Sequence, residues 1–119
     1  GAQRASPRVS GSLASHYAPD TPAERVPTDQ LDTLIRQALG SGETIRVLAL
    51  RHLPNGVHGL IMPNDPAQDA RHLYAALRSL DAEGAERLLI ETPPDQPEWL
   101  AIHDRIARAT VAPSDDDAP

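Results

Sequence analysis

The sequence of 119 residues contains no cysteine, no lysine and no phenylalanine, and its eleven basic residues are all arginine. The absence of cysteine excludes disulfides, thiolate nucleophiles, iron–sulfur clusters and cysteine-based zinc sites. The absence of lysine excludes a P-loop lysine, a Schiff base and a lysine general base. Aromatic residues make up only 3% of the chain, so its core must consist of leucine, isoleucine, valine and alanine.

The sequence also lacks a membrane-spanning run and a basic stripe. No segment approaches the ~20 consecutive apolar residues that cross a bilayer, and no signal-like segment opens the chain. The net charge is −6, and the arginines are not clustered, so we expect neither direct nucleic-acid binding nor a membrane partner. Length and composition together predict one soluble domain.

Proline and charge divide the chain into three parts. Residues 1–23 contain Pro7, Pro19 and Pro22 without a helical or strand period, which is typical of a linker or disordered arm. Residues 24–110 form the single predicted domain, and residues 111–119 are predicted to be an acidic disordered tail. The chain begins with Gly1 rather than methionine, so we expect it to be a piece of a longer protein.

Apolar periodicity predicts three helices in residues 24–110. The first has Thr28 as its N-cap and Gly40 as its left-handed stop, and the second runs from the N-cap Asp65 to Gly84. Pro97 opens the third helix. The residues expected to face the core are Leu31, Leu34, Ile35, Ala38 and Leu39 in the first helix, Ala70, Leu73, Tyr74, Leu77 and Leu80 in the second, and Trp99, Ile102, Ile106 and Ala109 in the third.

Short apolar runs predict four strands, at residues 24–26, 44–50, 57–62 and 87–92. Strands that alternate with amphipathic helices predict an α/β fold, with a small open, mainly parallel or mixed sheet of about four strands flanked by helices. Only residues 51–56 separate the second strand from the third, whereas a parallel crossover usually needs about a dozen residues. We therefore expect an antiparallel pair at this point and a mixed sheet.

Polar side chains lie at or just after the carboxyl ends of three of the predicted strands, at Arg51, His52, Asn64 and Glu91. If the sheet is mainly parallel, these residues meet at the edge where open α/β sheets bind ligands. An arginine, an imidazole and a carboxylate there could bind an anion or perform acid–base chemistry. Polar residues at strand ends are also ordinary features of solvated loops, so both interpretations stay open.

The remaining motifs favour structural roles. The five histidines lack the spacing of a metal site, and no phosphate-binding glycine loop or serine nucleophile motif is present. Asp69 and His72 are one turn apart and are predicted to pair at the surface of the second helix. The pairs Arg78–Asp81 and Asp104–Arg108 are predicted helix-face ion pairs, with an interdomain contact as the alternative for Arg78 and Asp81.

Three segments together resemble one known family. Residues 10–19 read Ser-Gly-Ser-Leu-Ala-Ser-His-Tyr-Ala-Pro, which is similar to the interdomain linker of the two-domain threonylcarbamoyl-AMP synthases. Residues 73–81 resemble the family's Leu-Tyr-x-x-Leu-Arg-x-x-Asp helix, and residues 101–109 resemble its closing helix, Ala-x-x-Asn/Asp-Arg-Leu-x-x-Ala. Ser10 and Ser12 depart from the family, which usually has proline and methionine there.

This resemblance implies a Rossmann-like C-terminal domain of an L-threonylcarbamoyladenylate synthase, a cytoplasmic nucleotidyltransferase. The implied partner is the N-terminal YrdC-type catalytic domain of the same polypeptide. That domain uses ATP with Mg, L-threonine and bicarbonate to make threonylcarbamoyl-AMP for the threonylcarbamoyladenosine modification of tRNA, a step of tRNA processing for translation. The chain itself is then expected to have no catalytic residue and to need no cofactor.

The resemblance also implies an accessory role, in which the linker lies over the catalytic cleft and gates it. The implied gating residues are Gly11, His16, Tyr17 and Pro19. The residues at the strand ends leave a second hypothesis open, in which the chain is a small-ligand or nucleotide-binding regulatory domain that acts through the crevice.

Overall fold

The computed structural model describes residues 18–110, in which a four-stranded sheet lies between helices. The strands are β1 (Ala23–Val26), β2 (Ile45–Ala49), β3 (Gly59–Ile61) and β4 (Arg87–Glu91). The helices are α1 (Thr28–Gly40), α2 (Pro66–Asp81) and α3 (Leu100–Ala109), and a 3₁₀ turn at Pro97–Trp99 leads into α3. The predicted α/β fold is therefore confirmed. In this described part of the chain, no helix has the length and apolar character needed to cross a membrane.

The sheet is fully parallel, in the order β1-β4-β2-β3. The expected antiparallel pairing of β2 with β3 is wrong, because Val47 pairs with Gly59 and Ala49 with Ile61 in parallel register. β3 has only three residues and pairs with the last three of β2. The chain therefore returns by only about 10 Å between the two strands, and residues 50–58 cover that distance without a helix.

Strand alternation divides the apolar side chains between two cores. On one face of the sheet, α1 packs through Leu31, Ile35 and Ala38, and the β2–β3 connection adds Leu53 and Val57. The other face is covered by α2 and α3, whose buried residues form one cluster with Trp99. The strand residues of the first core are Val26, Ile45, Val47, Ala49 and Leu89, and those of the second are Ala23, Leu48, Leu88 and Ile90.

The three crossover connections have the same hand. α1 and the β2–β3 connection cover one face while the chain moves from β1 towards the β3 edge. α2 covers the opposite face while the chain moves back from β3 to β4. A uniform hand agrees with the strong chirality of parallel crossovers. Because all the strand pairs are parallel, the carboxyl ends of the four strands lie at one edge of the sheet.

The helix ends partly follow the predicted caps. The Asp65 side chain accepts a hydrogen bond from the Gln68 backbone N–H at 3.0 Å, as expected for the N-cap of α2. For α1 the prediction is wrong at both ends: the N-cap is Pro27, with Thr28 as the first helical residue. The left-handed residue is Gly42, at φ 80°, instead of Gly40.

The predicted core faces of the helices are confirmed with one exception. Leu39, at the end of α1, is 48% exposed. Leu34, Ala70 and Tyr74 are partly buried against the two cores, and the other predicted core residues are buried.

Ion pairs hold the amino edge of the sheet together. Arg87, at the start of β4, donates to Glu24 and to Glu43 at 2.9 Å each. Arg46 of β2 pairs with Glu83. Because these charges are paired with one another, the amino edge offers little unpaired charge to a ligand. The carboxyl edge is therefore the better candidate for a binding site.

Candidate functional site

Glu91 organises the carboxyl edge of the sheet. It ends β4 and is only 6% exposed. One carboxylate oxygen, Oε1, accepts from the Leu50 backbone N–H at 2.8 Å, and the other, Oε2, accepts from the Thr28 hydroxyl at 2.8 Å. The side chain therefore joins the start of α1, the end of β2 and the end of β4, and both of its oxygens are satisfied.

A pocket of about 180 Å³ opens beside Glu91 on the α1 face. Arg51 and His52 line this pocket together with Glu91, so the structure brings three of the four predicted crevice residues together. Asn64 is not among its lining residues; it is exposed and immediately precedes α2, which lies on the opposite face. The other lining residues are Thr28, Leu31 and Asp32.

The chemistry of this pocket suits binding better than catalysis. Arg51 and His52 are exposed and can turn towards a polar ligand. The Thr28 hydroxyl donates to the Glu91 carboxylate. The hydroxyl is therefore not available as a nucleophile, and the Glu91 carboxylate is not available as a free base. Asp32 adds a second carboxylate, so the pocket has mixed charge and would fit a small polar molecule that carries both signs.

A larger pocket, of about 260 Å³, lies at the amino end of β2. Its charged side chains, Glu43 and Arg46, are already paired with Arg87 and Glu83. A ligand would have to compete with these pairs, so the amino-end pocket is the poorer binding site.

Asp69 is a buried acidic residue that sequence reasoning placed at the surface. It lies in the first turns of α2 and is 3% exposed, whereas His72 is exposed, so the predicted surface pair is wrong. Burial raises the pKa of the Asp69 carboxyl from 3.8 to about 6. Its Oδ1 atom is buried and has no hydrogen-bond partner in the described part of the chain.

The sequence contained a signal for this burial. Asp69 precedes Leu73, Ala76 and Leu80 at helical spacings of four, seven and eleven residues, which places it on the apolar face of α2. The Asp69 side chain lines a small cavity of about 10 Å³ between α2 and the carboxyl ends of β2 and β4. Among residues 18–110, no group of three or more histidine, aspartate or glutamate side chains is arranged to hold a metal ion.

The implied gating linker lies mostly outside the described residues: Gly11, His16 and Tyr17 precede residue 18. Pro19 is described and is partly buried. The adjacent residues Asp20 and Thr21 are attached to the end of α2, although the prediction assigned them to the linker.

Asp81 makes this attachment. Its Oδ1 accepts from the Thr21 backbone N–H at 2.9 Å and from the Thr21 hydroxyl at 2.7 Å, and its Oδ2 accepts from the Asp20 backbone N–H at 3.1 Å. Asp81 was predicted as a candidate for an interdomain contact, together with Arg78, which is exposed. The structure gives Asp81 a role within the domain, whereas the interdomain role of Arg78 stays a prediction. The predicted pair Asp104–Arg108 is confirmed at 2.7 Å.

The sequence matches a known protein family. The family model for the threonylcarbamoyl-AMP synthase C-terminal domain matches residues 1–111. No protein of curated function matches the sequence.

Solved structures share the fold. The crystal structure of P. abyssi Sua5 complexed with L-threonine is similar at a TM-score of 0.69 and 22% identity, over 81% of this chain and 30% of that chain. The C-terminal Sua5 domain from Pyrococcus horikoshii is similar at a TM-score of 0.65 and 18% identity, over 80% of this chain and 98% of that chain. A P. abyssi Sua5 variant, in which a histidine and the following tyrosine are replaced by alanine, gives a TM-score of 0.66 at 21% identity, over 77% of this chain and 28% of that chain.

The identities with these three structures are 22%, 18% and 21%, and at these values the similarity shows a shared fold. The chain corresponds to about 30% of the length of the P. abyssi protein and to nearly all of the isolated P. horikoshii domain.

Proposed function

Because the family model matches residues 1–111, the chain belongs to the family of threonylcarbamoyl-AMP synthase C-terminal domains, and from this premise we propose that it is a non-catalytic accessory domain of such a synthase. In this proposal residues 1–17 continue towards an N-terminal catalytic domain and gate its active site. The parent enzyme would use ATP with Mg, L-threonine and bicarbonate, and its product would serve the threonylcarbamoyladenosine modification of cytoplasmic tRNA.

One observation carries the proposal: the family match includes the segment that precedes the folded domain. The match begins at residue 1, whereas the described fold begins at residue 18. His16 and Tyr17 form the only consecutive His-Tyr pair in the sequence, and the P. abyssi variant carries alanine at such a pair. These two residues, with Gly11 and Pro19, are the proposed gating residues.

The anchor at Asp81 supports the proposal physically. Three hydrogen bonds fix Asp20 and Thr21 to the end of α2, so the start of the described chain has a defined position on the domain. Pro19 and Pro22 flank the anchor and restrict the backbone to extended conformations. In this proposal, the hydrogen bonds to Asp81 and the two prolines reduce the conformational entropy that residues 1–17 would lose on closing over the catalytic domain.

The gating role makes chemical sense for the proposed reaction. Threonylcarbamoyl-AMP contains a mixed anhydride, which water would hydrolyse in an open site. A segment that covers the site excludes water and holds the intermediate. Tyr17 offers an aromatic ring with a polar hydroxyl and His16 an imidazole, and both can hydrogen-bond while they cover a nucleotide.

The decisive experiment uses the two-domain parent protein. We expect the double substitution His16→Ala and Tyr17→Ala to lower the turnover of adenylate formation, or the retention of the intermediate, while leaving the unfolding temperature unchanged. Ser6→Ala, in the same segment but outside the linker motif, is the matched control. The proposal is wrong if the double variant turns over at the wild-type rate, or if the 119-residue chain alone makes threonylcarbamoyl-AMP.

The pocket of Arg51, His52 and Glu91 favours a second candidate function, a regulatory domain that binds a small ligand or nucleotide. A calorimetric titration with ATP, AMP and L-threonine tests it, and Arg51→Ala is the informative variant because Arg51 is exposed and its loss leaves the fold intact. Saturable binding that disappears in this variant supports regulation. A flat titration with all three ligands removes this candidate.

A further inference from the structure

The cavity beside Asp69 is separate in chemistry from the pocket of Arg51 and His52. Its walls are apolar, from Leu50, Met62 and Leu73 among others, and Asp69 supplies a carboxylate. Its volume of about 10 Å³ is roughly that needed to hold one water-sized group. An unsatisfied carboxylate oxygen beside such a cavity is expensive in the native state, so its occupant must offset that cost.

The unpartnered polar atom at this cavity is a hydrogen-bond acceptor. Asp69 Oδ1 is buried without a hydrogen-bond partner among residues 18–110. The cavity lies at the carboxyl ends of β2 and β4, where Leu50 and Glu91 line it, and both Glu91 carboxylate oxygens already accept hydrogen bonds from Leu50 and Thr28. A buried carboxylate with an unpartnered oxygen favours an occupant that donates hydrogen bonds and carries positive charge.

We propose that this cavity is a binding site for the primary ammonium group of a small molecule. An ammonium group is about the size of a water molecule, donates three hydrogen bonds and neutralises the Asp69 carboxylate. The chain contains no lysine, so no side chain of its own can supply this group. This inference is independent of the proposed gating role, because it concerns the opposite end of α2 from Asp81.

The competing occupant is a single water molecule. Water also donates hydrogen bonds to Asp69 but leaves its charge uncompensated. The two occupants differ in a measurable way: an ammonium site is saturable and selects among cations by size and by N–H donors, whereas a water-filled cavity responds to dissolved cations only through ionic strength.

The test is a titration of the ¹⁵N-labelled 119-residue chain at pH 7.5 and constant ionic strength, followed by amide NMR. Methylammonium chloride is the probe. Tetramethylammonium chloride, which has the same charge but no N–H donor, is the matched control, and ammonium chloride shows whether the carbon stem contributes. We expect saturable shifts at Leu50, Asp69 and Leu73 with methylammonium and none with tetramethylammonium.

Two variants complete the design. Asp69→Asn keeps the shape of the side chain and removes its charge, so the response to methylammonium should fall at least tenfold in apparent affinity. Asp29→Asn makes the same chemical change at an exposed carboxylate in the first turn of α1, on the other face of the sheet, and should leave the response unchanged. Equal responses to both cations, a response retained by Asp69→Asn, or no saturable response would each show that the cavity holds water only and would overturn the proposal.

Discussion

Asp69 shows how one buried carboxyl group contributes to the pH dependence of the domain's stability. Its pKa is raised to about 6 by burial, from 3.8 in the unfolded chain. Between these two values the native state holds a proton that the unfolded state has released. The free energy of unfolding therefore falls as the pH rises from about 4 to about 6, by on the order of 3 kcal/mol for this group.

Asp69→Asn should remove this dependence. We expect the variant to approach or exceed the wild-type free energy of unfolding at pH 7, and to lose this advantage below pH 4, where the wild-type carboxyl is protonated in both states. Urea denaturation at pH 4, 5, 6 and 7 measures the difference, with Asp32→Asn as the control at an exposed carboxyl. If the wild-type and Asp69→Asn curves run parallel across this range, the carboxyl of Asp69 is not desolvated in solution.

At the scale of the elements, β3 is the shortest strand described, and its pairing with β2 depends on one residue, Gly59. β3 has three residues, and a Cβ atom added to Gly59 would overlap the backbone carbonyl oxygen of Val47 on β2. The neighbouring atoms are backbone, so they cannot move away without breaking the register of Val47 with Gly59. Glycine is therefore required here by close strand approach, and not by a left-handed turn.

Gly59→Ala should destabilise the domain by about 2 kcal/mol or more, because β3 must shift or detach from β2. Gly40→Ala is the matched control: Gly40 lies in α1 with no neighbouring atom in the way of a Cβ, so this change should stabilise the domain by about 0.5–1 kcal/mol. Thermal unfolding of the two variants gives both values. Equal effects would contradict the close approach of β2 and β3.

The elements also show which features of the fold are readable from sequence. The cap at Asp65 and the left-handed Gly84, at φ 72°, follow from local chemistry, and so do the apolar stripes of the three helices. The parallel pairing of β3 does not, because its cause is non-local: the strand is short, and Leu53 and Val57 bury themselves against α1. The length of the β2–β3 connection alone therefore predicted an antiparallel pair, whereas the two strands are parallel.

At the scale of the whole molecule, sheet order determines which residues meet at the candidate sites. Arg51, His52 and Glu91 line one pocket because they lie at the ends of β2 and β4, whose carboxyl ends share an edge. Asn64 also follows a strand, but the chain has crossed to the other face before α2 begins. The sequence contains no information on that crossing, nor on the cavity that α2 forms beside Asp69, because both depend on the packed arrangement.

Sheet order also explains why Asp81 anchors residues that are 60 positions away in the sequence. β1 lies at an edge beside β4, and α2 packs on the face where Ala23 of β1 is buried. The end of α2 therefore lies near the point at which the chain enters β1. Thr21 is 8% exposed, and its N–H and hydroxyl both donate to Asp81 Oδ1, so the anchor is buried enough to be costly to break.

Asp81→Ala should release this entry segment without unfolding the domain. The Thr21 donors would lose their acceptor, and we expect the Asp20 and Thr21 amides to exchange with deuterium at least tenfold faster, since each factor of ten corresponds to about 1.4 kcal/mol of lost protection. Core amides of Val47 and Leu89 should exchange at rates that follow only the change in global stability. Ser79→Ala, on the exposed side of the same helix, is the control. Unchanged exchange at Asp20 and Thr21 would mean that β1 alone holds the entry segment, and the proposed linker would then leave the domain without a fixed exit point.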